Sequence, residues 1–107
     1  MFNGVEMGLK DVFGNKPVFR VLDFLLVHRD LDYSLSEIEG ATEVSYRSLQ
    51  SIVPSLVKRG LAVETRKVGK AKMYELNKKS NVAKKLDELA IAASFEAAGR
   101  QKLAQLA

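Results

Sequence analysis

The chain has 107 residues, of which 47% are hydrophobic and 28% charged, which fits one small globular domain and excludes both a disordered tail and two separate cores. It has no cysteine, so a disulfide framework and a thiolate metal site are excluded, and we expect a cytoplasmic protein. No apolar run is long enough for a membrane span.

The net charge of +4 is unevenly distributed along the chain. Residues 1–44 carry four basic and eight acidic side chains, whereas residues 45–79 carry nine basic and only two acidic ones. Residues 80–107 are nearly balanced, with four basic and three acidic side chains. A basic field confined to one segment is a stronger sign of nucleic-acid binding than net charge alone. We therefore expect any nucleic-acid surface to lie in residues 45–79.

The first third of the chain predicts two packing helices and a short strand. Apolar residues at helical spacing predict a short helix around Glu6–Phe13. Pro17 suits a first helical turn, and the apolar stripe after it predicts the main core helix, up to His28. The segment Asp30–Tyr33 breaks the helical pattern, so we expect a short strand there that pairs with a later hairpin.

The next segment predicts a helix-turn-helix. Ser34 and Glu37 have the spacing of a capping box, which predicts a second helix that ends near Thr42. The three-residue connection Thr42–Val44 then leads into a further helix over Ser45–Arg59. Two helices joined by so short a turn cross at a wide angle, which is the geometry of a helix-turn-helix.

The helix over residues 45–59 has a polar and an apolar face. Ser45 can cap its start, and Gly60 suits a left-handed stop after its end. Pro54 lies inside it, and we expect a bend rather than an end because the apolar spacing continues beyond it. The residues predicted to face the core are Leu49, Ile52, Val53 and Leu56. The residues predicted to project outward, with side chains that can hydrogen-bond bases and phosphates, are Ser45, Tyr46, Arg47, Gln50 and Ser51.

The segment Ala62–Leu76 predicts a basic hairpin, because both its ends have strand character and a turn signal lies at Gly69. The basic residues around that turn are Arg66, Lys67, Lys70 and Lys72. An alternative interpretation is an ordinary solvated turn whose lysines keep an edge strand soluble. We favour a nucleic-acid contact because these cations share a segment with Arg47 and Lys58, while the acids are concentrated elsewhere.

From Val82 onward the pattern is helical again, with more apolar surface than a helix on the edge of a monomer requires. One predicted face consists of Val82, Leu86, Leu89, Ala93 and Ala97. We expect self-association, in antiparallel or crossed packing because Glu96 and Arg100 interrupt a strict heptad. Gly99 is expected to end or bend the helix. The residues predicted to form the dimer contact are Leu86, Leu89, Ala93 and Phe95.

The sequence contains no arrangement that is typical of catalysis or metal binding. His28 is the single histidine, and without cysteine it cannot assemble a metal site of the cysteine and histidine type. The acids Asp30, Asp32, Glu37 and Glu39 are expected to be solvated charges, and neither a Ser/His/Asp arrangement nor a phosphate-binding glycine loop is present. We therefore expect no enzyme activity, no metal and no cofactor.

The chain resembles the winged helix-turn-helix transcriptional regulators of prokaryotes, particularly the small archaeal ones. The likeness covers nearly the whole chain and depends on the order and spacing of its segments. Those segments are Phe13–Lys16 leading into Val21–Leu25, Leu35–Ile38, Val44–Leu49, and Leu56–Leu61 running into Lys67–Lys70. The chain departs from the family at Glu39, where a small residue is usual, and at Glu43, where glycine is common.

The resemblance implies an α+β, mainly α fold: a winged helix-turn-helix with a three-helix core, a β-hairpin wing and a long C-terminal helix. It implies that the helix over residues 45–59 enters the major groove of double-stranded DNA and that the wing, residues 62–76, contacts the flanking backbone or minor groove. We predict a DNA-binding domain over residues 1–79 and a dimerisation helix over residues 80–107. The predicted DNA contacts are Ser45, Tyr46, Arg47, Gln50, Ser51, Lys58, Arg66, Lys67, Lys70 and Lys72.

Two functions fit this sequence. The favoured one is a sequence-specific, homodimeric transcription regulator. The alternative is a winged-helix protein interaction module that does not bind DNA specifically, since the fold also serves that role. The apolar C-terminal helix would then be the partner surface.

Overall fold

The computed structural model describes residues 8–106, with side chains described for residues 8–103. Within this range the chain has the predicted α+β, mainly helical fold, with a small antiparallel sheet and a long last helix. The helices are α1 (Leu9–Phe13), α2 (Pro17–Val27), α3 (Leu35–Thr42), α4 (Tyr46–Lys58) and α5 (Asn81–Leu106). The strands are β1 (Tyr33–Ser34), β2 (Ala62–Val68) and β3 (Ala71–Leu76).

Helix α2 is the centre of the core. Pro17 occupies its first turn, where the missing N–H costs no helical hydrogen bond, and all six residues of Val21–Leu26 are buried. The helix ends at Val27 with His28 as its C-cap, as the apolar stripe predicts. Because α1, α3 and β3 all contact α2, the helices and the sheet share one hydrophobic core.

Helix α1 is attached to α2 by a buried carboxylate. It comprises Leu9–Phe13 of the helix predicted over residues 6–13, and residues 6 and 7 lie outside the described range. The Asp23 carboxylate of α2 accepts hydrogen bonds from the backbone N–H groups of Leu9 at 3.1 Å and Lys10 at 3.3 Å. Burial raises the pKa of Asp23 to about 6, although these two bonds and the Lys10 charge act in the opposite direction.

Gly8 brings the start of α1 into backbone contact with α5. Its N–H donates to the carbonyl oxygen of Ala90 at 3.2 Å. A Cβ atom on Gly8 would lie only 2.4 Å from that oxygen and 2.6 Å from the backbone nitrogen of Ser94. Glycine is therefore the residue that fits between these two elements without displacing either of them.

Helix α5 packs on the rest of the chain through small residues. The residues buried on its inner side are Ala83, Ala90 and Ala93. Leu86 is partly buried against the core, whereas Val82 and Leu89, predicted on the same face, are 61% and 38% exposed. The packed side of α5 is therefore rotated from the predicted one. Its small alanines allow the backbone at Gly8 to come close to the helix.

Helix α5 spans Asn81–Leu106, close to the segment 80–107 that the sequence predicts as the C-terminal helix. It continues for 26 residues, through Gly99 to Leu106, so the helix does not end at Gly99, while the predicted alternative of a bend there stays a prediction. One exposed glycine costs a helix only about 1 kcal/mol relative to alanine, which the flanking helix formers offset. Among residues 8–106, no helix combines the length and the apolar character that crossing a bilayer needs.

Helix α3 begins with the predicted capping box and ends at Thr42, as predicted. The Ser34 hydroxyl accepts from the Glu37 N–H at 3.2 Å, and the Glu37 carboxylate accepts from the Ser34 N–H at 2.8 Å. Glu43 then adopts a left-handed conformation with a φ of 61°, and its N–H donates to the Glu39 carbonyl at 2.8 Å. Few residues other than glycine adopt a left-handed backbone conformation freely, which explains why the related regulators commonly have glycine where this chain has Glu43.

Helix α4 begins and ends one residue inside the predicted bounds, because Ser45 and Arg59 are its caps. The Ser45 hydroxyl accepts from the Ser48 N–H at 3.1 Å. Pro54 lies inside the helix without ending it, as predicted. Gly60 follows the helix with a φ of 78°, which is the predicted left-handed stop.

Strand β3 is the centre of the sheet, whose order is β1-β3-β2 with both pairings antiparallel. Strand β1 begins at the end of the predicted segment 30–33 and pairs with β3, as expected. Strands β2 and β3 form the predicted hairpin over residues 62–76, joined by Gly69 and Lys70. Gly69 has a φ of 62°, which suits the first position of a two-residue type II′ loop.

Candidate nucleic-acid interface

Helix α4 presents a polar side to solvent and an apolar side to the core. Its buried residues are Leu49, Val53 and Leu56. The residues that the sequence predicts to project outward are all exposed: Ser45, Tyr46, Arg47, Gln50 and Ser51. Because the buried residues fix the rotation of the helix, the side chains that can hydrogen-bond bases and phosphates point away from the core.

The turn before α4 is fixed from two directions. The Arg20 guanidinium of α2 donates to the carbonyl oxygen of Thr42. The Thr42 hydroxyl donates to the Ile38 carbonyl at 2.7 Å and accepts from the Val44 N–H at 3.2 Å. Val44 is 3% exposed and belongs to the hydrophobic core. These contacts hold α4 at a fixed angle to α3.

The N-terminus of α4 is capped by an acid that sequence analysis did not assign to it. The Glu39 carboxylate of α3 accepts from the Tyr46 N–H at 3.1 Å. The prediction that Glu39 is a solvated charge is therefore wrong: its negative charge lies at the positive end of the α4 dipole and joins the two helices across the turn.

We call the β2–β3 hairpin, residues 62–76, the wing. Its basic residues are all exposed: Arg66, Lys67, Lys70 and Lys72. Lys67 lies directly opposite Lys72 in the antiparallel register, so both side chains project from the same face of the sheet. The Lys72 ammonium lies 4.0 Å from the Glu64 carboxylate, and an exposed pair of this kind contributes little free energy.

Lys67 and Lys72 lie on the face of the wing that meets α4. Side chains alternate between the faces of a strand, so Lys72 shares a face with Tyr74, which is buried in the core. Burial raises the pKa of the Tyr74 hydroxyl, with smaller contributions from Glu64 and Tyr46. Helix α4 contacts β2, and its buried residues Leu49 and Val53 belong to the same core as Tyr74, so α4 lies on this side of the sheet.

Arg66 projects from the opposite face of the wing. It pairs in register with Met73, and its guanidinium donates to the two Asp32 carboxylate oxygens at 3.0 and 3.2 Å. The Thr65 hydroxyl donates to the same carboxylate at 2.5 Å. The hydrogen bonds from Arg66 and then Thr65 lower the pKa of Asp32 to about 2. The prediction that Asp32 is a solvated charge is therefore wrong.

Four other basic residues near α4 and the wing have no such partner among the side chains that the structure describes. Within the described side chains, residues 8–103, no ion pair involves Arg47, Lys58, Lys67 or Lys70. Lys78 differs, since its ammonium lies 3.3 Å from the Asp30 carboxylate. Over the same described range, no three His, Asp or Glu side chains are grouped so that they could hold a metal ion.

Comparison with solved structures identifies the fold. A mutant of ZitR from Lactococcus lactis in its apo form has a TM-score of 0.66 at 13% identity, over 83% of this chain and 67% of that one. The adhesin competence repressor AdcR from Streptococcus pyogenes has a TM-score of 0.65 at 17% identity, over 92% and 74% of the two chains. This chain has the winged-helix fold.

A third winged-helix neighbour gives the same result. MepR, a transcription regulator of the Staphylococcus aureus multidrug efflux pump MepA, has a TM-score of 0.64 at 16% identity, over 91% of this chain and 70% of that one. Neither a protein-family model nor a curated protein sequence matches the chain. The three organisms are bacteria, so the archaeal-type assignment stays a prediction.

The predicted dimer residues occupy two different environments in this winged helix. Ala93 is buried against the start of α1, and Leu86 packs against the core, so neither is fully available to a second chain. Leu89 is 38% exposed and Phe95 is 76% exposed. The apolar surface that remains open on α5 therefore includes Leu89 and Phe95 but not Leu86 and Ala93.

Three residues whose hydrogen bonds hold α4 and the wing in place are not predicted from the sequence pattern. Glu39 caps a helix seven residues away, and Asp32 pairs with a residue 34 positions away. Thr65, which joins Asp32 to β2, carries no turn or breaker signal. An acid just upstream of a predicted helix start is the one signal that could have pointed to Glu39.

Proposed function

We propose that this protein is a transcription regulator that binds a specific double-stranded DNA sequence as a homodimer. Helix α4 enters the major groove, and the wing contacts the flanking backbone or minor groove. The observation that carries the proposal is the group of exposed cations on α4 and the wing that have no ion-pair partner among the described side chains: Arg47, Lys58, Lys67 and Lys70. Such cations are available to displace counterions from DNA phosphates.

The outward residues of α4 suit different parts of the DNA. Arg47 is the best candidate for base readout, because a guanidinium can donate two hydrogen bonds to guanine, and Gln50 suits adenine in the same way. The hydroxyls of Ser45, Tyr46 and Ser51 suit phosphates, as do the lysines of the wing. Base contacts supply sequence preference, whereas phosphate contacts supply affinity that depends on salt.

The homodimer forms through the open apolar surface of α5, including Leu89 and Phe95. In a two-fold symmetric dimer both α4 helices read the same sequence, so the two half-sites are separated by about one helical turn of DNA, near 34 Å. The operator is then an inverted repeat. The names of the neighbours AdcR, a repressor, and MepR, a transcription regulator, support this class of function.

Removal of single cations tests the proposal. Genomic-fragment selection and footprinting first identify a binding site, and titrations at several salt concentrations then compare variants. We expect Arg47→Ala to weaken binding by about 1–3 kcal/mol and to relax preference at one base pair. We expect Lys70→Ala to weaken binding to all sequences and to reduce the slope of log Kd against log salt by about one.

Lys102→Ala is the matched control, since it removes an exposed charge near the far end of α5. If neither Arg47→Ala nor Lys70→Ala differs from that control in DNA titrations, the proposal is wrong. The second candidate, a protein interaction module, would then be favoured, because Phe95 is 76% exposed and offers an apolar contact that requires no DNA.

A further inference from the structure

The wing contains an irregularity that changes which of its cations face α4. From Ala62 to Glu64, β2 pairs regularly with β3, ending with Glu64 opposite Tyr74. The next pair is Arg66 opposite Met73, so Thr65 is an extra residue with no partner. This is a β-bulge, in which two residues of one strand oppose one residue of the other.

The bulge exchanges the two faces of β2 beyond Thr65. In a strand without it, Arg66 would lie opposite Lys72 and Lys67 would lie opposite Ala71, since each residue would advance the pairing by one. With the bulge, Lys67 lies opposite Lys72 on the face that meets α4, and Arg66 lies on the other face. A single inserted residue thus decides whether Lys67 or Arg66 accompanies Lys72.

Asp32 binds both residues that define the bulge. Its carboxylate accepts from the Thr65 hydroxyl at 2.5 Å and from the Arg66 guanidinium at 3.0 and 3.2 Å. The Asp32 side chain is only 16% exposed, although it precedes β1 at the surface of the sheet. Because a guanidinium presents its donors as a rigid fork, this two-point contact fixes the direction of the Arg66 side chain.

We propose that Asp32, Thr65 and Arg66 form a clamp that maintains the β-bulge, and that Arg66 is a positioning residue which keeps Lys67 beside Lys72 on the DNA-facing side of the wing. The consequence for DNA rests on the function proposed above, whereas the clamp itself is a property of the free protein. Arg66 then contributes to affinity through the shape of the wing and not through a phosphate contact of its own.

Hydrogen exchange of the free, full-length protein tests the clamp without DNA. We expect Asp32→Asn, Arg66→Gln and Thr65→Val each to lose protection at the backbone amides of residues 64–68, while amides of α2 keep theirs. Thr65→Ser, which retains the hydroxyl, should keep the protection of the wild type. Unchanged exchange in the wing of all three variants would overturn the clamp.

Salt-dependent DNA titrations test the positioning role. If Arg66 acts through Lys67, we expect Arg66→Gln to weaken binding and to reduce the slope of log Kd against log salt by about one, as Lys67→Gln does. The double variant Arg66→Gln with Lys67→Gln should then bind no more weakly than Lys67→Gln alone. Arg66→Lys separates the two roles, because lysine keeps the charge but not the fork. The clamp predicts that Arg66→Lys binds as weakly as Arg66→Gln.

Two outcomes of these titrations would refute the positioning role of Arg66. If Arg66→Lys restores the affinity, or if adding Arg66→Gln to Lys67→Gln lowers the affinity and the slope further, Arg66 contacts a phosphate directly and the positioning role is refuted. If the wild-type protein binds no DNA, the proposed function fails, but the exchange measurement still decides whether Asp32, Thr65 and Arg66 hold the bulge.

Discussion

The wing and the α1–α5 layer each depend on one aspartate, and the two carboxylates have opposite environments. Asp32 binds the Arg66 guanidinium at the surface, and its pKa is lowered to about 2. Asp23 is 8% exposed and caps the first turn of α1, and burial raises its pKa to about 6. A cap made by a buried carboxylate therefore costs free energy at neutral pH, whereas a carboxylate paired with a guanidinium does not.

The two regions also differ in the surface that they present. Around α4 and the wing the exposed side chains include the cations Arg47, Lys58, Lys67 and Lys70, which are stable in water without an ion-pair partner. On α5 the exposed side chains include Ile91 at 43% and Phe95 at 76%, and covering such surface is favourable by about 25 cal/mol per Å². One molecule thus offers two surfaces that suit partners of different chemistry, and changes to each should have separable effects.

The largest expected effect is on self-association. We expect the double variant Leu89→Glu with Phe95→Glu to be monomeric, because two carboxylates would have to be buried in the contact that we propose. Light scattering measures the mass directly. Leu31→Glu is the control, since it changes a leucine that is 61% exposed in the loop before β1. A wild-type protein that is already monomeric would refute the dimer.

The next effect is the pH dependence of stability. The folded-state pKa of Asp23, about 6, lies above its ordinary value of 3.8, so the folded protein retains a proton that the unfolded chain releases. This stabilisation is complete below pH 3.8 and is lost as the pH rises through about 6, which amounts to about 3 kcal/mol.

Urea unfolding at a series of pH values measures this loss. Asp23→Asn has no carboxyl group to titrate, so its free energy of unfolding should lack the decrease between pH 4 and pH 6. The same decrease in wild type and variant would mean that another group causes it. Hydrogen exchange should show the loss of protection with rising pH at the backbone amides of α1, since the Leu9 and Lys10 N–H groups donate to the Asp23 carboxylate.

The smallest effect concerns two glycines. Gly8→Ala should destabilise the protein by about 1–3 kcal/mol, because its Cβ would lie 2.4 Å from the Ala90 oxygen. Gly40→Ala is the matched control: no atom lies within 4 Å of its Cβ, and alanine in a helix is favoured by about 0.5–1 kcal/mol. Thermal unfolding compares them. Equal shifts in Tm would contradict the close contact between α1 and α5.

Local signals predicted most of the fold. The Ser34 and Glu37 capping box, the Ser45 cap and the Gly60 stop each act within a few residues of chain, so the sequence alone places the ends of α3 and α4. Pro17 did the same for α2. The order and spacing of such segments carry the resemblance that implies the winged helix.

The features that no local signal predicts are those that depend on distant residues. Asp32 and Arg66 are 34 positions apart, and the bulge at Thr65 follows from how β2 and β3 pair. The predicted packed side of α5 is also wrong in part. Ala83 and Ala90 are buried because α1 and the core lie against them, which their small side chains do not signal. Tertiary contacts therefore decide which wing side chains share a face with Lys72 and which side of α5 packs against the core.

The length of α5 makes its attachment to α1 a pivot. The helix has 26 residues and the molecule measures 53 × 27 × 21 Å, so much of the long dimension comes from this one rod. At a rise of about 1.5 Å per residue the part from Ala90 to Leu106 is about 24 Å long, and tilting it by about 10° would swing its tip by about 4 Å. A displacement of a few tenths of an ångström where Gly8 meets Ala90 would be multiplied along the rod.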